Sequence, residues 1–233
     1  MDVLFVLLIL FVAFYLQSVV GFASGLVAAP FLILFLSFPE MVFLLSVIGL
    51  FFASYQVPKV FSSAHKRMLL FLFPSLLVGM FFGVRSLAVF SRSTLELVLV
   101  AVIVLGLFLI VFRSRIRLPE SAGVIVGFLG GFFSGSVSVG GPVYASYIDS
   151  QTSSVVARST LIVLLALVEF FKLSMLVFSG FVSSSILVTA LLAVPVVFLA
   201  MFLGNKASGL LSQRVYHASV FVLVLLAAVL VIM

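Results

Sequence analysis

The sequence predicts an all-α integral membrane protein that crosses the bilayer many times, and three observations lead to this fold class. Apolar residues make up 65% of the 233 residues, whereas only 8% carry a full charge. A soluble domain draws about 25% of its residues from the charged set, so this chain has too few charges to cover a water-facing surface. The apolar residues also occur in runs of about 20, the length that a helix needs to cross the ~30 Å hydrocarbon core.

These runs divide the chain into ten predicted membrane segments, five in each half. The segments of the first half cover 3–20, 22–37, 41–57, 68–89 and 93–112. The segments of the second half cover 119–134, 140–149, 155–178, 183–204 and 214–233. Only short loops separate them, so no room remains for a soluble domain. We expect one transmembrane domain composed of an N-terminal repeat, 1–117, and a C-terminal repeat, 118–233.

Two of the apolar runs are too irregular to form ordinary spans. As one helix, the run 3–36 would be roughly 50 Å long, and it is interrupted by Gly-Phe-Ala-Ser-Gly at 21–25 and by Pro30. The run 119–149 contains six residues that disfavour a regular helix: Gly130, Gly131, Gly135, Gly140, Gly141 and Pro142. We expect a broken helix or a hairpin at each of these two motifs.

The basic residues predict the orientation, because short cytoplasmic loops are enriched in Lys and Arg. With five passes in each half and the N-terminus outside, nine of the twelve basic residues lie in cytoplasmic loops. These nine are Lys59, Lys66, Arg67, Arg113, Arg115, Arg117, Arg158, Lys206 and Arg214. Counting each interrupted run as a single pass gives an eight-span alternative, in which the basic residues segregate less well.

The two halves also share a weak internal repeat. Segments 74–91 and 195–212 align at an offset of 121, with identical Pro, Met, Phe, Gly and Ser positions and with Arg85 opposite Lys206. Upstream, Pro30 aligns with Pro142 at an offset of 112. Halves with an odd number of passes have opposite orientations in the membrane. Such inverted repeats, with broken helices near the midplane, are typical of secondary transporters.

Both glycine motifs resemble those of a known family. The segment 17–25 through Pro30 is similar to the opening motif of the TauE/SafE sulfite exporter family, and 127–142, which ends in Gly-Gly-Pro, resembles the family's second motif. The Pro-x4-Gly-x3-Gly segment at 74–83 also fits. In contrast, Ala23 and Ser24 make the first motif poorer in glycine, and a Gly-Thr-Ser-type start is missing around 45–46. The resemblance implies a membrane permease for sulfite, organosulfonates or related small anions.

An anion at membrane depth needs hydrogen-bond donors, and the free N–H groups at broken helix ends supply them. On this argument the two motifs and their polar neighbours form the substrate site. The predicted substrate-binding residues are Gln17, Gly21, Ser24, Gly25, Ser134, Ser136, Ser138, Gly140, Gly141, Pro142 and Tyr144. The alternative is close helix packing through small residues spaced four apart. This spacing occurs at 21/25 and 127/131/135, and at Gly79 and Gly83 the packing interpretation is favoured.

Two charges lie well inside one predicted span. Glu169 and Lys172 are three residues apart, so they share a helix face and can pair, and Arg158 lies near one end of the same helix. One hypothesis makes Lys172 or Arg158 the attractor for the anion and Glu169 a protonatable coupling group. The other is a structural ion pair with no role in coupling.

The leading functional prediction is a multi-pass permease of the cell membrane that moves a small anion by alternating access, with a coupled proton or cation. A static anion channel and a non-transporting membrane subunit are the alternatives. The chain has no cysteine, two histidines and no known catalytic motif, so we expect no enzymatic activity, no metal and no cofactor. The scattered basic residues predict no nucleic-acid partner. The lipid bilayer is the expected surrounding, and a homo-oligomer is compatible with the sequence.

Overall fold

A computed structural model describes residues 3–20, 24–112 and 118–207, which are helical and contain no strand. The α-helices of this part of the chain are α1 (Val3–Val20), α2 (Ser24–Leu32), α3 (Phe38–Val60), α4 (Lys66–Val89), α5 (Arg92–Phe112), α6 (Ala122–Val137), α7 (Gly141–Gln151), α8 (Ser154–Phe178) and α9 (Ser184–Ala207). They match nine of the predicted segments. The tenth segment, 214–233, and the basic residues at 113–117 lie outside the described residues.

Five of these helices are long and apolar enough to cross a membrane: α3 with the 3₁₀ turn that follows it, α4, α5, α8 and α9. Helices α1 and α6 are apolar but shorter. At 1.5 Å per residue, α2 and α7 reach only about 14 and 17 Å, roughly half of the hydrocarbon core. The polytopic membrane architecture is therefore confirmed, and each short helix forms the second part of an interrupted run.

The helices α3 and α4 begin slightly before the predicted segments, and their polar caps explain the difference. The Glu40 carboxylate accepts a hydrogen bond of 2.9 Å from the Ser37 N–H at the start of α3, a capping contact that satisfies a free donor of the first turn. At the start of α4, His65 Nδ1 accepts from the Met68 N–H at 3.2 Å. Both caps lie a few residues before the apolar runs, because a helix begins at its polar cap and not at its first apolar residue.

The second glycine motif contains one break, which separates the helices that the segments 119–134 and 140–149 predicted. Helix α6 continues through Gly130, Gly131 and Gly135 and ends at Val137, where Ser138 adopts a left-handed φ of 59°. The prediction that these three glycines interrupt the helix is wrong. In an apolar bundle the helix keeps its backbone hydrogen bonds satisfied, and glycine without a side chain allows another helix to approach.

The first motif also differs from the prediction at its proline. Pro30 is the seventh residue of α2, whereas Pro142 is the second residue of α7. The two prolines, aligned in the sequence, therefore occupy different positions in their helices. The starts of these two short helices, Ser24 and Gly141, lie 117 positions apart. Proline is tolerated within a membrane helix where neighbouring elements satisfy the freed backbone groups.

Helices α4 and α6 pack closely through glycine. A Cβ atom at Gly79 would overlap the Phe128 carbonyl, one at Gly83 would overlap the Phe132 carbonyl, and one at Gly131 would overlap the Leu76 carbonyl. The backbones touch because neither helix presents a side chain at these points. The packing interpretation of Gly79 and Gly83 is confirmed, and the glycines of α6 at this interface have the same role.

Helices α1 and α9 form a second pair that packs through glycine. A Cβ atom at Gly204 of α9 would lie 2.6 Å from the Tyr15 carbonyl of α1. Gly204 aligns with Gly83, and Tyr15 lies 117 positions before Phe132, the offset that also relates the starts of α2 and α7. Between the two pairs, α3 packs against α8. Each half therefore provides a helix that packs on the broken run of the other half.

We predict that Gly131→Ala destabilises the protein, because the added methyl group meets the backbone of α4. Overpacking of this kind costs about 1–3 kcal/mol, which thermal unfolding of the detergent-solubilised protein measures as a lower transition temperature. Ala101→Leu is the control, since Ala101 lies exposed on α5. An unchanged transition in Gly131→Ala, or an equal decrease in the control, would contradict the packing argument.

Candidate functional site

A small polar cavity lies where the two helix breaks meet. It encloses about 40 Å³, and one buried water needs roughly 10–15 Å³, so a compact group of a few heavy atoms fits. Residues of both halves line it: Gln17, Ser24, Gly25, Gly49, Phe52, Ala53, Ser134, Ser138, Gly140, Gly141, Ile162, Leu165, Ala166 and Glu169. The breaks touch directly, because a Cβ atom at Gly25 would overlap the Ser138 carbonyl.

The wall from the first half is built at the start of α2. Gln17 of α1 is buried, and its Oε1 accepts a hydrogen bond of 3.2 Å from the Ser24 N–H. One free donor at the start of α2 is thereby satisfied from α1, which fixes the short helix against its predecessor. Ser24 and Gly25 then follow in the cavity wall. Any side chain larger than hydrogen at position 25 would separate the two breaks.

The wall from the second half contains the left-handed turn. The Ser138 N–H donates to the Ser134 carbonyl at 3.1 Å, and the Val139 N–H donates to the Phe133 carbonyl at 3.2 Å. These bonds close α6 and direct the chain into Gly140 and Gly141, where α7 begins. Glycine is required at 140, because a Cβ atom there would overlap Ser134 Oγ and the Gly130 carbonyl.

A buried ion pair completes the site. Lys172 of α8 is 0% exposed, and its Nζ lies 2.8 Å from Glu169 Oε2 and donates to Ser138 Oγ at 3.0 Å. The ammonium group thus joins α8 to the turn at the end of α6. On the opposite side of the carboxylate, Ser46 and Gly49 of α3 face Glu169, and a Cβ atom at Gly49 would lie 2.9 Å from its Cγ.

The structure brings together most of the residues that the sequence predicted. Eight of them line the cavity: Gln17, Ser24, Gly25, Ser134, Ser138, Gly140, Gly141 and Glu169. Lys172 reaches the same place through its contacts with two of these residues. Gly21 lies outside the described residues.

Four predicted residues lie elsewhere. The Ser136 hydroxyl donates to the Phe132 carbonyl of its own helix at 2.8 Å, so it is not directed at the cavity. Pro142 packs toward Gly106 of α5, where a Cβ atom would lie 3.2 Å from its Cγ. Tyr144 and Arg158 are the other two.

Tyr144 packs against the glycines of the cavity wall, whereas Arg158 contacts the end of α1. The Tyr144 side chain is 0% exposed, packs on Gly130 and Gly140, and places its hydroxyl beside Ser134. Arg158 is exposed, and its guanidinium donates to the Ser18 carbonyl at 3.2 Å. That cation interacts with the carbonyl end of α1, where a helix carries a partial negative charge. The sequence misplaced Arg158 because its contact on α1 lies 140 positions away along the chain. It misplaced Tyr144 because the packing of the ring on Gly130 and Gly140 depends on the turn between α6 and α7.

The residues that α3 and the apolar part of α8 contribute to the cavity wall were not predicted from the sequence. From α3 come Gly49, Phe52 and Ala53, and from α8 come Ile162, Leu165 and Ala166. The sequence of α3 did contain an indication of this role. Small or polar residues recur there at helical spacing and form a stripe on an otherwise apolar helix: Ser46, Gly49, Ala53 and Gln56. In the described part of the chain, no group of three or more His, Asp or Glu side chains could hold a metal.

A second, wider cavity of about 370 Å³ lies at the other end of α7. Its polar lining includes His65, Arg67, Glu120, Tyr147 and Gln151. Helix α7 runs from the central cavity at Gly141 to this second cavity at Gln151, a distance of about 15 Å at 1.5 Å per residue. The two cavities therefore lie at opposite ends of one short helix.

Apolar helices long enough to cross a membrane, packed around a small polar site, define a polytopic integral membrane protein. Comparison with protein-family models identifies the particular family. The model described as "Sulfite exporter TauE/SafE" matches residues 6–231, nearly the whole chain. The chain therefore belongs to the TauE/SafE sulfite exporter family, and the resemblance seen in the glycine motifs is confirmed. No curated protein and no solved structure shows a significant match.

We predict that Lys172→Met destabilises the protein by about 3–5 kcal/mol, because it leaves a buried carboxylate without its partner. The double variant Lys172→Met/Glu169→Gln should recover a large part of this loss, since both charges are then absent. Thermal unfolding in detergent measures both effects. The surface pair Arg92 and Glu96, joined at 2.9 Å, provides the control, and Glu96→Gln should cost about 1 kcal/mol or less. Equal stability of the single and double variants would contradict the prediction.

Proposed function

We propose that this protein is a secondary transporter of a small anion, sulfite or a related sulfur-containing or organic anion, that works by alternating access in the cell membrane. One observation carries the proposal: Glu169 and Ser138 line the cavity between the two helix breaks, and both contact Lys172, a fully buried lysine next to the cavity wall. A buried cation beside a polar cavity at membrane depth is expensive to insert. Such groups mark substrate and ion pathways in membrane proteins.

The cavity provides the chemistry that a small anion requires. Lys172 offers a positive charge, and the hydroxyl groups of Ser134 and Ser138 offer hydrogen bonds. The starts of α2 and α7 add the positive ends of two helix dipoles at Ser24 and Gly141. Apart from Gln17 and Glu169, the remaining wall is apolar, so the anion exchanges its water shell for a few fixed donors.

Glu169 is proposed as the coupling group. Its carboxylate and an incoming anion compete for the same ammonium group, because Lys172 Nζ already lies 2.8 Å from Glu169 Oε2. A proton on Glu169 removes this competition and frees Lys172 for the anion. Binding of the anion and uptake of the proton then favour each other, which is the requirement for coupled transport.

The packing of the two halves supports alternating access. The contact of Gly83 with the Phe132 carbonyl has its counterpart in the contact of Gly204 with the Tyr15 carbonyl. We propose that 1–117 and 118–233 are inverted repeats, and that an exchange of their conformations opens the central cavity to one side and then to the other. The second cavity, near the basic residues Lys66 and Arg67, is the proposed cytoplasmic approach to the site.

We predict that the purified protein in liposomes takes up labelled sulfite in a saturable manner and that a pH gradient changes the rate. Glu169→Gln should weaken the response to the gradient, because its side chain cannot bind the proton and only the protonation of sulfite itself then changes with pH. Lys172→Met should reduce uptake by about tenfold or more, the equivalent of 1.4 kcal/mol of lost anion binding. Uptake with competing sulfate, thiosulfate, small sulfonates and carboxylates measures the substrate range.

Glu96→Gln is the matched control for this experiment, because Glu96 pairs with Arg92 on the surface. It should transport at the wild-type rate with the wild-type pH response. Wild-type behaviour of Glu169→Gln would contradict the coupling role. Absence of flux with every anion would leave the non-transporting subunit as the better description.

The absence of cysteine from the natural sequence makes alternating access directly testable. Ala53→Cys and Ala166→Cys place a thiol in the cavity wall on α3 and α8 with little added volume. We predict that a membrane-impermeant maleimide labels each thiol from both sides of the membrane, and that substrate decreases labelling from one side while it increases labelling from the other. A channel would instead show labelling from both sides that substrate decreases together.

A further inference from the structure

We infer that the central site carries a singly charged anion together with one proton, so that each transport cycle moves no net charge. The inference rests on the proposed transport function and adds the charge state of the substrate and the stoichiometry. It follows from the charged groups around the cavity. Lys172 and Glu169 are the charged residues that meet there in the described part of the chain.

The helices packed against α8 supply no further charge to the cavity. Helices α3, α4, α6 and α7 all contact α8, and α6 contains no charged residue. The charged residues of the other three are Glu40, Lys59, Lys66, Arg67, Arg85 and Asp149. Residues of this set are absent from the lining of the central cavity. Uncharged Ser46, Ser138 and Tyr144 are the polar neighbours of the ion pair.

The empty site is neutral, because the ammonium of Lys172 and the carboxylate of Glu169 cancel. An anion that takes the place of the carboxylate at Lys172 would leave one negative charge unpaired. Burial of an unpaired charge in an apolar surrounding is strongly unfavourable. A proton from the solution restores neutrality by forming an O–H bond on Glu169, so the loaded site contains one ammonium, one carboxylic acid and one monoanion. On release, that O–H bond breaks and the proton leaves with the anion.

A dianion does not fit this balance. With Lys172 charged and Glu169 protonated, a bound dianion still leaves one net negative charge in the cavity. The site should therefore favour hydrogen sulfite and sulfonates over the sulfite dianion and sulfate, although all of these are compact oxyanions. The selection of monoanions over dianions follows from the cost of burying an unpaired charge and does not require the anions to differ in shape.

In the described part of the first half, the helix that faces α8 provides no second proton site at the cavity. Helix α3 starts 116 positions before α8, and at this offset Ala53 and Gln56 stand where α8 has Glu169 and Lys172. Both residues are buried and uncharged. Helices α3 and α8 are related by this offset, but only α8 contains the ion pair. One carboxylate therefore sets the stoichiometry at one proton for each anion.

The test uses the full chain in liposomes, with methanesulfonate as a permanent monoanion and sulfate as a permanent dianion of similar size. Methanesulfonate should inhibit uptake of labelled sulfite, and sulfate should inhibit at least about tenfold less well, the equivalent of 1.4 kcal/mol. Labelled methanesulfonate should accumulate about tenfold for each pH unit by which the liposome interior is more alkaline than the exterior, since one unit corresponds to 1.36 kcal/mol. A potassium and valinomycin potential should leave this accumulation unchanged.

The membrane potential distinguishes most clearly between electroneutral transport and transport that moves one net charge. A carrier that moved one net charge would change its accumulation ratio by about 50-fold at 100 mV, because that potential acts on an elementary charge with 2.3 kcal/mol. Glu169→Gln, which cannot carry the proton, should lose the response to pH and gain a response to potential. Glu96→Gln, altered on the surface, should behave as wild type.

Two results would overturn the inference while the transport function stands: sulfate that competes as well as methanesulfonate, and wild-type accumulation that follows the membrane potential. Failure of methanesulfonate to inhibit sulfite uptake would also overturn it. If no anion shows saturable flux, the proposed function itself fails, and the inference that rests on it fails as well.

Discussion

The buried ammonium group of Lys172 is the constraint on which the rest of the site depends. A charge with 0% exposure among apolar helices is stable only when its desolvation is offset by close partners. Glu169 provides one from the same helix and Ser138 the other from the end of α6. Because Ser138 must reach the lysine from a left-handed turn, the position of the break in α6 and the position of α8 are linked. The start of α2 is then fixed by the contact of Gly25 with the same turn.

Glycine packing provides the frame around this centre. In a bilayer, helices gain little from burying apolar surface, so close backbone contact takes over that role. The α4 and α6 contact at Gly79, Gly83 and Gly131 and the α1 and α9 contact at Gly204 are of this kind. Each joins an interrupted run of one half to a long helix of the other half. Such an arrangement leaves α3 and α8 as the pair that meets across the cavity.

The proposed mechanism needs few chemical groups. One lysine, one carboxylate and the donors of two helix breaks surround a cavity of about 40 Å³. In a low-dielectric surrounding, a single unpaired charge is costly enough to decide which anions enter and with how many protons. Transport, coupling and selectivity can then all depend on the neutrality of one small volume, to which the second half contributes the ion pair and the described part of the first half contributes uncharged residues.

The sequence by itself determined the membrane class, the positions of nine helices and most of the cavity wall. Composition and apolar run length decide these features locally, because a chain with 8% charged residues has no stable water-soluble alternative. The glycine motifs also indicated the family that the comparison confirms. Only the tertiary structure decided which glycines break a helix and which pack, since Gly131 and Gly140 differ in the helix that faces them. It also placed Gly49 in the site and Arg158 outside it, because those contacts join residues that lie more than 100 positions apart in the chain.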